Sequence, residues 1–388
     1  MTSLDIPHSK LVKERIATIG VFLANGFGIG AWAVEVPRIK ESLSLSDASL
    51  GIALFCFALG AIVAMPLAGQ LAPRLGSGRA TALLGAAFAI ALPLPALAPG
   101  MVTLCIVLLA LGASNGALDV SMNGHASAIE TQWRAPIMSS FHAAWSAGGL
   151  LGAATGALLQ KGGVGVIGGL LVPDLFIAML IVCAATLALR DIGPRAAAVS
   201  SGFAWPDSSV MKLAMLAFLC MLVEGAVADW SAVYLRSTLN QEASIAAIGY
   251  SAFALSMAAC RIAGDASVRR FGSSRVVALG GLIALAGLAL VLSLPTVLTA
   301  CVGFAMIGVG LANIVPVIFS AAGRSTTTPA IGVSMAATAG YAGFLVGPPL
   351  IGFGAGLLGL RTALCVLVMA TLIVSLLGGK AVRNARLA

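Results

Sequence analysis

The chain has 388 residues, 60% of them hydrophobic and 9% charged, with 22 Lys and Arg against 14 Asp and Glu. Soluble domains carry about 25% charged residues, so this chain cannot cover a water-facing surface, and both a soluble globular enzyme and a disordered protein are excluded. Strict apolar–polar alternation is missing too, which sets aside an outer-membrane barrel and leaves a bundle of bilayer-spanning helices.

Residues 1–14 read as a short polar tail, with no cleavage site after the apolar run that follows. The first span is predicted over 15–38 and carries Asn25, Trp32 and Glu35. Ala48 to Pro73 is free of charge and gives a second span, 48–72. Ala80 to Leu118 holds no charge over 39 residues. At about 1.5 Å per residue it is too long for one crossing. Pro93, Pro95, Pro99 and Gly100 break it into spans 80–98 and 101–129. Spans 137–160 and 165–189 follow, then the longest polar connection, Asp191 to Lys212. Beyond it come 211–236 and 244–267, and a charge-free run from Val276 to Gly323 that Pro295-Thr296 divides into 276–294 and 297–322. Ser325 to Leu360 holds one span, 330–355, with a long outer approach around Pro348-Pro349, and 361–380 completes twelve.

Charge placement tests that number independently. With twelve crossings and a cytoplasmic amino terminus, Arg38, Lys40, Lys161, Arg236 and Arg361 fall outside and Arg261 lies within a helix, which leaves 16 of the 22 basic residues inside. That segregation obeys the positive-inside rule. It also accounts for the net charge of +8 as basic loops facing an anionic leaflet, with no nucleic-acid partner implied. The seven cysteines stand singly on apolar segments and read as buried thiols; no His, Cys or carboxylate cluster has metal-ligand spacing, and no cofactor is implied. Gly163 to Gly168 matches GxGxxG, but no strand precedes it, so it reads as the turn into the sixth span.

The two halves of the chain repeat. Phe57-Ala58-Leu59 recurs as Phe253-Ala254-Leu255, Gly76 to Arg79 as Gly272 to Arg275, Gly112 to Asn115 as Gly310 to Asn313, Trp32 as Trp230, and Ala147 to Gly152 as Ala342 to Gly347. The expected fold is therefore an all-α membrane protein of twelve transmembrane helices in two pseudo-symmetric six-helix bundles: residues 1–190, a cytoplasmic linker 191–210, and residues 211–388. Such halves enclose a cavity near the midplane and expose it to each side in turn. Gly148, Gly152 and Gly156, and Gly343 and Gly347, suit close packing that either stays fixed or slides during that motion.

The loop Gly69-Gln70-Leu71-Ala72-Pro73-Arg74-Leu75-Gly76-Ser77-Gly78-Arg79, with its variant copy Gly264-Asp265 through Arg269-Arg270-Phe271-Gly272, resembles the signature loop of the major facilitator superfamily. The acidic residue of that loop is Pro73 here and follows the glycine directly, as Asp265, in the second copy. Asn115 to Asn123, with the later Ser140-Phe141-His142, resembles the fucose–proton symporter branch, which carries an acid with Asn four positions later on helix 4. The resemblance implies a bacterial inner-membrane transporter with both termini cytoplasmic, and gating roles for Arg74, Arg79 and Arg270.

Ionisable groups within the apolar layer cost several kcal/mol and need a partner or a function. Asp119 is the foremost, lying with Asn115 and Asn123 at i, i+4 and i+8 on one face of helix 4. Either a substrate and proton role or a structural hydrogen-bonded network explains that stripe. Glu224 stands twelve residues from both Lys212 and Arg236, at the centre of helix 7. Asp229 is about 140° round the helix from it, so the two share a face only if Gly225 permits a kink. Glu35 is the third candidate for proton coupling, lining a cavity mouth or pairing with Arg38. His142, Asn25, Asn313, Trp32, Trp230 and Asp229 are candidate substrate contacts, each with packing as the alternative. Glu130 is expected to pair with Arg134, and Arg261 with Asp265 to form a cytoplasmic gate or a structural bridge.

These features predict a secondary active transporter, not an enzyme, that moves a small polar solute by alternating access as a monomer in the lipid bilayer. Sugar-like solute and proton symport is the first reading, proton-coupled efflux of drug-like compounds the second, and a channel or an intramembrane enzyme remote. No pore ring, nucleophile–base pair or phosphate loop is present in the sequence.

Overall fold

The computed structural model describes residues 7–187, 189–191, 207–326 and 328–385. Most of the predicted linker, 191–210, and the basic residues Arg195 and Arg386 lie outside them. Among the described residues all regular structure is helical. The first six helices are α1 (His8–Ser42), α2 (Asp47–Leu75), α3 (Ser77–Ala91), α4 (Met101–Trp133), α5 (Met138–Lys161) and α6 (Val166–Leu187). The remaining nine are α7 (Ser208–Val233), α8 (Ala243–Ile262), α9 (Gly264–Phe271), α10 (Ser273–Ser293), α11 (Val297–Leu311), α12 (Ile314–Arg324), α13 (Pro329–Leu358), α14 (Leu360–Ala363) and α15 (Cys365–Asn384).

Ten of the described helical stretches are long and apolar enough to cross a membrane. α5 and α8 bring the crossings to twelve. α5 is less apolar than the others because Ser139, Ser140, His142, Ser146, Thr155 and Gln160 lie along it.

The expected boundaries hold at Pro93–Gly100 and at Pro295-Thr296 and fail in four other places. A short 3-10 turn, Leu94–Leu97, separates α3 from α4, and Thr296 caps α11 with a reciprocal Thr299 bond, both at the expected breaks. The tail does not end at residue 14, since α1 begins at His8 and buries Glu14. The predicted span 244–267 is broken at Ala263, and 297–322 at Ala312-Asn313. No outer approach forms at Pro348-Pro349: α13 runs through both prolines to Leu358 and stops where Gly359 takes a φ of +82°. Each proline removes one N–H donor, and membrane helices tolerate that loss where neighbours or local adjustment satisfy the carbonyl. At the start of α7, Asp207 accepts from Ser208 N at 2.6 Å and from Ser209 Oγ at 2.8 Å. The Ser209 hydroxyl and then the Ser208 N–H hold its carboxyl below the usual carboxylate range.

The helices gather into two compact units. The first holds α1 to α6, apart from Pro136–Ser140, and takes in Thr328–Ser334; the second holds the rest of the described chain. Within each, glycines set the closest helix contacts, and the contacts repeat. A Cβ on Gly148 of α5 would strike the Leu23 carbonyl of α1, and one on Gly343 of α13 would strike the Phe218 carbonyl of α7. Gly152 and Phe27 stand in the same relation as Gly347 and Leu222. All four positions recur 195 residues on (23 to 218, 27 to 222, 148 to 343, 152 to 347). Gly112 of α4 lies on the Phe57 carbonyl of α2 as Gly308 of α11 lies on that of Phe253 of α8. By this contact the counterpart of Gly112 is Gly308; Gly310, the match expected from the sequence, instead meets Gly280 of α10.

Candidate functional site

The helix 4 stripe is buried in the first unit. Asn115 is 4% exposed, Asp119 8% and Asn123 0%. Asn25 of α1 donates through Nδ2 to Asn115 Oδ1 at 2.9 Å, and Trp145 of α5 donates through Nε1 to Asn25 Oδ1 at 2.8 Å. One turn further along α4, Asn123 Nδ2 donates to the Asp119 carbonyl at 2.9 Å and to its Oδ1 at 3.3 Å. His142 Nε2 meets Asn123 Oδ1 at 3.1 Å, with the His142 ring 5.6 Å from that of Phe22. A buried amide orients toward each partner, so the stripe joins α1, α4 and α5. Asp119 Oδ2 is buried and has no hydrogen-bond partner among the described residues. That is an unusual state for a carboxylate oxygen, since a buried acceptor left unpaired costs about 1–3 kcal/mol.

Glu35 lies elsewhere in the first unit. It is fully buried, with Arg38 Nη1 3.1 Å from its Oε2 and Gln160 Nε2 3.4 Å from its Oε1. Gly169 of α6 leaves room for the carboxylate, since a Cβ there would strike Oε1. Arg38 also donates to the Val164 carbonyl at 2.8 Å. The group closes a three-helix junction. Trp32 is buried in packing at 7% exposure.

In the second unit, Glu224 is 19% exposed and its Oε1 lies 3.6 Å from Nη2 of the buried Arg261. Asp229 is exposed, and Trp230 is half-buried against Gly352. Asn313 caps α12 and donates through Nδ2 to the Cys260 carbonyl at 3.1 Å. Asp265 is buried and accepts from Ser140 N at 3.2 Å. Arg74, Arg79 and Arg270 are exposed. Gly76 and Gly272 both turn their loops with positive φ, +95° and +80°. Where the signature loop has Pro73 in place of an acid, Asp191 brings a carboxylate to the start of α3, accepting from Arg79 N at 3.4 Å.

Three residues escaped the sequence reading. Trp145 closes the Asn25–Asn115 network, and an indole N–H inside an apolar run was the available signal. Asp174 sits within α6 with Oδ1 buried and unpartnered among the described residues, and a lone charge in that span was visible. Glu14 accepts from Arg190 N at 3.1 Å and lies 3.5 Å from His125, whose Nδ1 is 2.9 Å from Ser77 Oγ. It passed as part of a polar tail. Trp145→Phe removes the donor to Asn25 while keeping the ring, and is expected to cost about 1–3 kcal/mol, read as a lower midpoint of thermal unfolding in detergent.

Residues 18–339 match the profile described as Major Facilitator Superfamily. The chain belongs to this superfamily. Among curated relatives, an uncharacterized MFS-type transporter of Yersinia pestis is 36% identical over 361 residues, covering 92% of this chain and 93% of its own. Membrane protein MosC of Rhizobium meliloti is 34% identical over 377 residues, 95% of this chain and 90% of its own. Of solved superfamily structures, the E. coli fucose:proton symporter FucP superposes with a TM-score of 0.78 at 14% identity, covering 97% of this chain and 99% of that one. The proton:xylose symporter XylE gives 0.78 at 13% identity, with 97% and 96% covered. At such identities the structures establish the fold, and with the superfamily match they make this chain a multi-pass membrane transporter with the twelve-span superfamily fold.

Proposed function

We propose that this superfamily member couples proton entry to uptake of a small polar, sugar-like solute by alternating access. It resides in the cytoplasmic membrane as a monomer with both termini cytoplasmic. The observation that carries the reading is Asp119, buried at mid-helix with one carboxylate oxygen unpartnered among the described residues. A carboxyl in an apolar layer needs a counter-ion when charged and none when neutral, which suits it to carry a proton. Asn123, itself bonded to His142, adjoins it, and Asn115 one turn away on α4 is tied to Asn25 and Trp145, so the stripe carries amide, imidazole and indole groups, the chemistry that recognises hydroxyl-rich solutes. Glu224 is the proton-linked carboxylate of the second unit, and Arg38 holds Glu35 in a structural role. Segregated basic loops support the orientation. FucP and XylE, a fucose:proton and a proton:xylose symporter, favour symport over efflux.

The test uses purified protein in liposomes loaded with a pH-sensitive dye and a panel of sugars, polyols and other polar metabolites. An inward solute gradient is expected to acidify the lumen, and unlabelled internal solute to accelerate entry of labelled solute. Alkalinisation on solute entry would replace symport with antiport. Unsaturable flux without counterflow would replace the carrier with a channel.

A further inference from the structure

α2 and α4 run in parallel and touch along one face. Phe57 meets Gly112 and, one turn on, Ala61 meets Gly116. Gly60 of α2 lies on the Leu109 carbonyl of α4, and one turn back from that pair stand Cys56 and Cys105. In parallel helices, residues displaced one turn in the same direction from a touching pair face each other as well. The two thiols do so: Cys105 is within side-chain hydrogen-bonding reach of Cys56. A disulfide needs Cα atoms about 4.4–6.8 Å apart, a separation that only closely approaching helices offer.

The seven cysteines differ in access, contrary to their reading as buried thiols. Cys220 alone is buried, whereas Cys56 and Cys105 are free and part-exposed. Cys105 stands one turn inside the start of α4 at Met101, and Cys56 lies in the first half of α2, which begins at Asp47. The pair is therefore reachable from the end at which both helices begin.

We propose that Cys56 and Cys105 form a redox-active dithiol that a disulfide oxidant closes into a covalent link between α2 and α4. The Cys105 thiolate attacks the oxidant's S–S bond and releases one oxidant thiol; the Cys56 thiolate then attacks the mixed disulfide and releases the second. Two cysteine thiols become one S–S bond, the oxidant's disulfide becomes two thiols, and the protons balance. The link lies within the first unit and fixes α2 against α4. In the orientation proposed above both helices begin at the outer face, the oxidising side of a bacterial cytoplasmic membrane. Only the choice of compartment rests on that reading. The bond-forming step is measured on purified protein without any solute, so failure of symport and failure of the dithiol are told apart.

The purified full chain in detergent is treated with oxidised glutathione, and its peptides are mapped by mass spectrometry without reduction. The native chain is expected to yield one linked pair, Cys56 with Cys105, released by dithiothreitol. In Cys56→Ser the link is expected to be lost and Cys105 to hold glutathione instead, because its resolving thiol is gone. Cys105→Ser is expected to lose the link as well. Thiols at 56 and 105 that stay reduced, or a Cys105–glutathione adduct that persists in the native chain, would overturn the proposal.

Discussion

Asp119→Asn is expected to reduce solute-driven proton flux in liposomes to the level of protein-free vesicles while leaving expression, monodispersity and thermal midpoint close to those of the native chain. The substitution is nearly isosteric and keeps an acceptor for Asn123 Nδ2, which now reaches Asp119 Oδ1 at 3.3 Å. It removes only the capacity to gain and lose a proton. A residue in a saturated network would behave differently: loss of a satisfied charge there destabilises, because the partners are left unpaired. Among the described residues Asp119 has no cationic partner and one bare oxygen, so the neutral amide is expected to be tolerated. Wild-type proton coupling in the Asn variant would remove Asp119 from the mechanism. Solute counterflow, which needs no net proton movement, is the informative companion measurement, since retained exchange with lost coupling isolates the proton step.

Gly112→Val is expected to lower stability by about 3 kcal/mol, read as a large fall in the thermal midpoint in detergent. A Cβ at Gly112 would run into the Phe57 backbone carbonyl, and Gly60 in turn lies on the Leu109 carbonyl, so α2 and α4 touch backbone to backbone. No rotamer relieves such a clash, and the helices must separate. Gly308→Val is expected to do the same in the second unit, where Phe253 takes the place of Phe57. Gly20→Ala is the contrast, because nothing lies within 4 Å of a Cβ there and the added methyl only restricts the unfolded chain. Equal midpoints for Gly112→Val and Gly20→Ala would mean that these contacts do not set the helix spacing.

The stripe of Asn115, Asp119 and Asn123 was legible because helical periodicity is local: residues four apart share a face in any regular helix. Its partners were not. Asn25 of α1 and Trp145 of α5 meet only because Gly26 and Gly148 let those helices approach backbone to backbone. Glu35 illustrates the opposite case. Arg38 was visible as its i+3 neighbour, yet the choice between cavity mouth and junction depended on Gln160 and Gly169, which lie more than a hundred residues away.

Composition and charge placement determined that this chain spans a bilayer, because transfer of a charge into hydrocarbon outweighs other local preferences, and the prolines that divide the long charge-free runs completed the count. The duplication was equally readable, since repeated glycines mark repeated backbone contacts. Tertiary structure decided where helices break and which groups answer the break. Ala263 and Ala312 sit in runs that look continuous, and only the facing Arg261 and Asn313 make those interruptions affordable by satisfying carbonyls that the helices themselves leave bare.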